Sequence, residues 1–423
     1  WGPAEQRTLV DNEATLVEVF ASPDSDNTID WHHANYFLKY SGSLQVVREV
    51  TSSAKNARST TGQLSTDSDL TLPTEIVKNQ ADFDAQLGAL DSDSHTFLGK
   101  FPGELGNGLQ VSMCGPNSTA FNAWSYASSF DAVPGTSDYA SDRNASNDEV
   151  HVVVIDDTGE VSGNAGTILE KHLSLSKAKD GEYSLGSPSY WRKYTYNNSA
   201  NIFAGGAPTG IVTTSFALGT FDLSSDVGWD QNAQGIDFAA TGTTTLTLGG
   251  GKNYDGNSDP DVDGSFQVTL AGLAKGYELF EDDNLNSADF ILMGSGNHTK
   301  ETAQSLANKI ISVAEIRKDA VAFVSPNRGA FLSDGSAGSV VVFDANQITD
   351  NVISFFAPVS SSSFAVFDST YKYMYDRFAD TFRYVPMNGD IAGLCARNDI
   401  NNFPWFSPAG TARGAILNAV KLT

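Results

Sequence analysis

A chain of 423 residues, 40% of them hydrophobic, is long enough to bury a sizeable core and to divide it among two or three domains. With 51 acidic against 26 basic residues its formal charge is -25, which argues against a nucleic-acid surface, because phosphate backbones are held by Lys and Arg that displace counterions. Apolar runs such as "HVVVI" and "SVVVF" fall far short of the roughly 20 residues of a membrane-spanning helix.

The opening "WGPAEQRTLVDNEATLVEVFASP" predicts a strand and then a short helix, with Thr15, Leu16, Val19 and Phe20 at helical spacing. "WHHANYFLKYSGSLQVVREV" predicts a helix, with Ala34, Phe37 and Leu38 on one face, and then a strand containing Leu44, Val46 and Val47. From Thr51 to Asp93 the composition turns to Ser, Thr, Asp and Lys and predicts an excursion or linker. "FLGKFPGELGNGLQVSMC" restores order, its Pro-Gly and Gly-Asn-Gly marking a turn before the alternating strand Leu109, Val111, Met113.

From about Asn117 to Gly264 the pattern is one of short strands and turns, "EVHVVVIDDTGEV", "TILEKHLSLS" and "GTTTLTLGGG" among them. Helical patterning returns near Ser265: "GSFQVTLAGLAKGYELFED" predicts a helix, "DFILMGSG" a buried strand, "KETAQSLANKIISVAEIRKD" a helix and "AVAFVSP" the next strand. Ala303, Leu306, Ala307, Ile310, Ile311 and Ala314 make an apolar stripe that needs a sheet to pack on. Strand, helix, strand with a crossover of that length predicts a parallel pair. The expected fold is therefore α/β (α+β) and multidomain. Residues 1–52 and 265–423 form a discontinuous α/β core, 53–104 a polar excursion and connector, and 105–264 an inserted β-rich domain.

Three features invite a chemical reading. "GSGNHTKET" opens a helix after a strand, where backbone N–H groups can hold phosphate, but it lacks the Gly-Lys-Ser/Thr ending of a Walker loop and the third glycine of a dinucleotide fingerprint. Asp259, Asp261, Asp263 and Gly264 have calcium-loop spacing, yet the closing position is Leu270 rather than a bidentate Glu. His32 and His33 are adjacent on a predicted helix and point about 100 degrees apart, so they share no ligand face. Cys114 and Cys395 are expected as free thiols, four N-x-S/T sequons read as chance in a Ser/Thr-rich chain, and no nucleophile elbow is present. No catalytic, cofactor or metal residue is nominated.

Towards the end of the chain aromatics and charges crowd together. In "FAVFDSTYKYMYDRFADTFRYVP" Tyr371, Tyr373 and Tyr375 alternate as in a strand, beside Asp376, Arg377, Asp380 and Arg383; Tyr and Arg are typical interface residues. "DIAGLCARND" predicts a helix with Ile391, Leu394 and Cys395 inward, and "NNFPWFSPAG" a Pro-braced aromatic loop of the kind that usually plugs a core. "GAILNAVKLT" predicts a helix still running at Thr423, and with Trp1 in place of an initiator Met one or both natural ends are expected to be missing.

The run "YKYMYDRFADTFRYVPMNGDIAGLCARNDINNFPWFSPAGTARGAILNAVKL" resembles the signature segment of contractile phage tail sheath proteins, particularly those of T-even-type myophages. "WGPAEQRTLVDNEATLVEVFASP", "FPGELGN" and "AEIRKDAVAFVSP" resemble further blocks of that family in the family's order, while the β-rich middle matches weakly. The resemblance implies a structural subunit, not an enzyme, and no cofactor. In the family, subunits form six-fold rings stacked helically around a tail tube, and terminal arms, absent here, exchange strands between neighbours. Partners would be further sheath subunits, the tail tube, the baseplate and the tail terminator, with no nucleic acid and no membrane insertion. Its place would be the virion tail, after assembly in the host bacterial cytoplasm, and this shortened chain would be monomeric. The signature or assembly-face positions carried over are Trp1, Gly2, Pro3, Pro102, Gly103, Glu104, Tyr371, Tyr373, Tyr375, Asp390, Arg397, Trp405, Pro408 and Arg413. The alternatives are a nucleotide-dependent enzyme using residues 294–302 and a calcium-binding, adhesin-like virion module.

Overall fold

The computed structural model describes residues 1–59, 76–86, 96–205, 229, 231–238, 242–256, 268–284, 286–295, 298–334, 340–411 and 413–423. They form two compact units: a β-rich one from Trp1 and Ser53–Asp255, and an α/β one from Gly2–Ser52 and Gly256–Thr423. The mixed α/β, multidomain class expected from the sequence is the class observed.

The chain opens in the α/β unit. Strand β1 (Arg7–Val10) pairs antiparallel with β2 (Leu44–Val47), and between them run α1 (Glu13–Phe20) and α2 (Thr28–Leu38). Asn12 caps α1 by accepting the Thr15 N–H at 3.0 Å, satisfying one of the donors that a helix start leaves open. Val10, Leu16, Phe20 and Trp31 meet in one cluster below these elements.

The β-rich unit is built on an antiparallel seven-stranded sheet. Its strands are β3 (Asn56–Ser59), β4 (Phe97–Pro102), β5 (Leu109–Cys114), β6 (Glu149–Asp156), β7 (Thr167–Ser176), β10 (Ile202–Ala204) and β11 (Thr243–Gly249); β8 (Glu182–Ser184) and β9 (Ser187–Pro188) form a separate small hairpin. The spatial order is β10-β4-β3-β11-β5-β6-β7. Helices α3 (Gln80–Gln86), α4 (Ser118–Ala123), α5 (Asp138–Ser141) and α6 (Trp191–Asn198) lie in its connections.

Both faces of the central strands are covered. Val150, Val152 and Val154 of β6 pack with Trp191 and Trp229, while Val153 and Ile155, on the opposite face, pack with Trp124 and Phe130. That is why "VVVI", residues 152–155, is apolar throughout instead of alternating. The stretch expected as a linker already contains β3, a fully buried strand. Four residues are too few to show a period, and what holds them is non-local: the Asn56 side chain donates to Val77 O and Gly99 O and accepts the Val77 N–H.

On its return the chain forms α7 (Leu270–Glu278), β12 (Phe290–Leu292), α8 (Lys300–Arg317), β13 (Val321–Val324), β14 (Leu332–Asp334), β15 (Val340–Val342), α9 (Ala345–Phe356), β16 (Ala365–Phe367), β17 (Tyr371–Asp376), β18 (Thr381–Pro386), α10 (Asn388–Asn401) and β19 (Lys421–Leu422). Strands β12 and β13 pair in parallel, Phe290 opposite Val321, as the crossover predicted, and β16 extends the same parallel sheet. The stripe on α8 packs against Ile291, Ala322 and Val324 of that sheet. The helix ends at Lys318, in the left-handed conformation, while buried Arg317 donates to Phe280 O, Ala288 O and Asn286.

The helix expected at "GAILNAVKLT" is not formed. Asn418 sits at φ +55, the Leu417 N–H bonds the Tyr40 hydroxyl, and the N–H groups of Val420 and Thr423 bond Tyr373 O and Tyr371 O, so the segment lies along β17 as β19. The partners that capture these donors lie far away in sequence, where periodicity cannot register them.

Candidate assembly surface and its buried support

The hairpin β17–β18 and helix α10 carry most of the positions singled out from the sequence. Tyr371, Tyr373 and Tyr375 share one face of β17 and grade from core to surface. Tyr371 is buried and donates to Pro326 O at 3.0 Å, Tyr373 lies against Phe382 and Tyr384, and Tyr375, half exposed, donates to Asp380 at 2.6 Å.

The opposite face of β17 presents Lys372, Met374 and Asp376, all fully buried. The Lys372 ammonium sits 2.7 Å from Asp390 Oδ2 and 3.1 Å from the centre of the Tyr36 ring, and Asp390 also accepts from the Tyr40 hydroxyl at 3.0 Å. Burial draws Lys372 down to about 8, with Asp390 pulling the other way. Asp376 accepts from Arg383 Nε at 2.7 Å and from the Phe378 N–H at 2.9 Å. Burial would raise its pKa, but these donors together with His32 outweigh it and hold the carboxyl at about 2.

His32 and His33 diverge from α2 to separate partners, as their helical spacing requires. His32 Nε2 lies 3.1 Å from Asp376 Oδ1, at ion-pair distance but outside hydrogen-bond geometry, and His33 Nε2 lies 2.5 Å from Asn388 Oδ1. Burial lowers both imidazoles. Asn388 continues to Gly294 O and Ser325 Oγ, and Ser325 to Asp368, whose carboxyl burial raises to about 7. These contacts join residues 28–40 to residues 368–390, making one polar interlock from the two sequence-distant parts of the α/β unit.

Glycines on α10 permit this approach. A Cβ on Gly389 would come within 2.9 Å of His33 Nε2, and one on Gly393 within 2.6 Å of the Tyr40 ring. The pair lies one helical turn apart on the face turned to α2, a packing signal that the composition of "GDIAGLCAR" contains but a catalytic reading of it overlooks.

The remaining signature positions are dispersed. Gly2 takes φ +96 with no room for a Cβ, which would lie 2.6 Å from Val19 O; Pro3 is half buried beside it. Trp1, in the β-rich unit, packs edge-on to Phe101 at 5.5 Å. Pro102 and Gly103 are buried in a turn whose Gly103 N–H bonds Lys55 O, and the backbone N–H of exposed Glu104 donates to Asn253 Oδ1.

The loop after α10 does not plug the core. Phe403 and Trp405 stack on one another at 4.7 Å with Trp405 76% exposed, because Asn398 ties the loop backbone to the helix through Phe403 O and Phe406 O and leaves the rings outside. Arg413 lies over Phe406, Pro408 is half buried, and Arg397 donates to Arg413 O while lying over Tyr40. Asp390, by contrast, belongs wholly to the core.

Among the described residues neither chemical alternative gains a site. In the described part of residues 294–302 the Ser295 N–H is directed to the Asp30 carboxylate at 3.1 Å, a negative group where phosphate would have to sit, and Thr299 caps α8. Residues 259–264, the calcium-like loop, lie outside the described residues. Cys114 is buried, its thiol pushed up to about 12 by burial, and Cys395 is also free and raised by burial.

Sequence reasoning missed a cleft of about 440 Å³ in the α/β unit, lined by Glu13, His32, Asn35, Lys39, Arg377 and Phe378 among others. Glu13 holds Lys39 Nζ at 2.5 Å and also the Arg377 guanidinium. Residues 364 apart share this cleft, and no local pattern marks them.

No family model matches the chain. It is similar to the tail sheath protein of Enterobacteria phage T4, 25% identical over 486 residues covering all of this chain and 72% of that protein. It is likewise similar to the tail sheath protein of Salmonella phage ViI, 25% identical across 99% of this chain and 68% of the relative. With the tail sheath protein of Vibrio phage KVP40 it shares 31% identity over 189 residues, 42% of this chain and 26% of the relative.

Proposed function

We propose, from this likeness to T-even-type tail sheath proteins, that the chain is a structural subunit of a contractile phage tail sheath. Copies assemble into helically stacked hexameric rings around the tail tube in a metastable extended form. Contraction exchanges one set of contacts between subunits for a more favourable set and drives the tube through the host envelope. The observation that carries the reading is similarity to named tail sheath proteins over 99–100% of the chain.

The interlock supports a subunit that moves as a body. Buried, mutually paired groups break at high cost, so change falls on the contacts between subunits before it reaches α2 and α10. The role is structural, and the tube, the baseplate and the tail terminator are its further partners. Assembly takes place in the host cytoplasm and the product resides in the virion tail. Immunogold labelling of virions of the phage that encodes this chain tests the reading: label along the whole tail is expected, and label confined to the head, the fibres or the lysate background would refute it.

A further inference from the structure

We infer that the cleft between α1, α2 and the turn after β17 binds an acidic peptide segment of a second copy of this chain. The inference rests on the sheath reading and deepens it by naming a contact. At the mouth, one carboxylate, Glu13, holds two cations, Lys39 and Arg377, leaving a local excess of positive charge on a chain whose formal charge is -25. The side chains of Lys39 and Arg377 are 34% and 67% exposed, so both can reach a ligand.

Beneath them lie two unsatisfied polar groups. His32 is 3% and Asn35 5% exposed, and His32 Nδ1 and Asn35 Oδ1 have no hydrogen-bond partner among the described residues. Nε2 faces the ionised Asp376 at 3.1 Å, where a proton on that nitrogen is favoured electrostatically although no hydrogen bond forms, and that tautomer of the neutral imidazole leaves Nδ1 as an acceptor. Two buried acceptors below two cations call for a ligand that brings both N–H donors and carboxylates. A peptide with acidic side chains offers both, whereas sulfate or chloride offers no donor. Phe378 and Tyr375 add exposed aromatic surface at the same mouth.

The chain contains such a segment. Glu281–Asp283 is its longest uninterrupted run of carboxylates and follows α7, with Asp282 and Asp283 exposed. Glu281 is paired with Lys309 at 3.0 Å, which leaves the two aspartates to reach outward. A cleft on one copy that receives a different element of the next is a heterologous contact, the kind that builds rings or helical filaments rather than closed dimers.

The test titrates a fluorescein-labelled peptide of residues 278–286 with the whole chain at low and at high salt. Saturable binding that weakens with salt is expected. It should weaken at least about tenfold for the chain carrying K39E/R377E, and equally for a peptide carrying D282N/D283N. K39Q/R377Q serves if the reversal impairs folding, and K318E, at an exposed lysine on another surface, should bind as the natural sequence does. Absence of saturable binding, equal binding of the neutralised peptide, or an equal loss with K318E would overturn the assignment. Sedimentation velocity at rising concentration then tests the occupant: weak self-association lost with K39E/R377E supports a second copy, and a monomer at every concentration, or self-association unchanged by the substitutions, overturns one. Unlabelled tails in the immunogold experiment would sink the sheath reading by themselves, without altering the peptide result.

Discussion

Replacing Asp390 by Asn removes a charge from the centre of the interlock while keeping an acceptor for the Tyr40 hydroxyl. Lys372 and Asp390 are both fully buried at 2.7 Å, so the substitution leaves the ammonium with only the Tyr36 ring and a long 3.4 Å bond to Leu417 O among the described residues. Breaking such a pair from one side costs about 3–5 kcal/mol, and the ring's attraction for the cation offsets about 2 kcal/mol at most. A net loss of about 1–5 kcal/mol near neutral pH is expected from urea unfolding, with hydrogen exchange in α10 identifying the transition that belongs to the α/β unit. The loss should shrink as pH rises. Lys372 already stands at about 8 with its partner present, falls further without it, and once neutral no longer has an unpaired charge to bury. K372M/D390N, which removes both charges, should recover much of the stability. A loss below about 1 kcal/mol, or a double variant no better than the single one, would refute the claim that the pair is an interlock.

Gly393→Ala should cost about 1–3 kcal/mol, read as a lower urea midpoint, because its Cβ would press on the Tyr40 ring within 2.6 Å. In D368N, which removes the opposing carboxyl that burial raises to about 7, the stability of the α/β unit should fall as pH drops below about 6.5: burial lowers His32 and His33 in the folded chain, so the unfolded chain takes up protons first, and melting temperatures across that range check the sign. Trp405→Ala should leave folding stability within about 0.5 kcal/mol, as a 76% exposed ring requires, and a larger drop would place that loop in the core after all. In the β-rich unit, Trp191→Ala should cost about 3–5 kcal/mol by calorimetry, since the ring is fully buried between the sheet and Trp229.

The elements that could be read from the sequence are those whose cause is local. Helix α8 repeats its apolar residues at helical intervals, β17 alternates tyrosines with buried residues, and the α8 crossover dictates the parallel pair of β12 and β13. What escaped detection depends on partners distant in sequence. Leu417 and Val420 have helical spacing, yet their N–H groups are taken by Tyr40 and Tyr373. Asn56 sits in a polar stretch and holds a central strand through Val77 and Gly99. The aromatic loop looked like core by composition, and only the tether from Asn398 reveals which way its rings face. The cleft was hidden for the same reason, with Glu13, Lys39 and Arg377 each unremarkable in its own neighbourhood.

Negative-stain electron microscopy of the purified chain incubated with isolated tail tubes of its phage would decide whether it is a sheath. Hexameric rings stacked helically along the tube are the expected result. Bare tubes at every salt and protein concentration, with the chain still folded by circular dichroism, would contradict it.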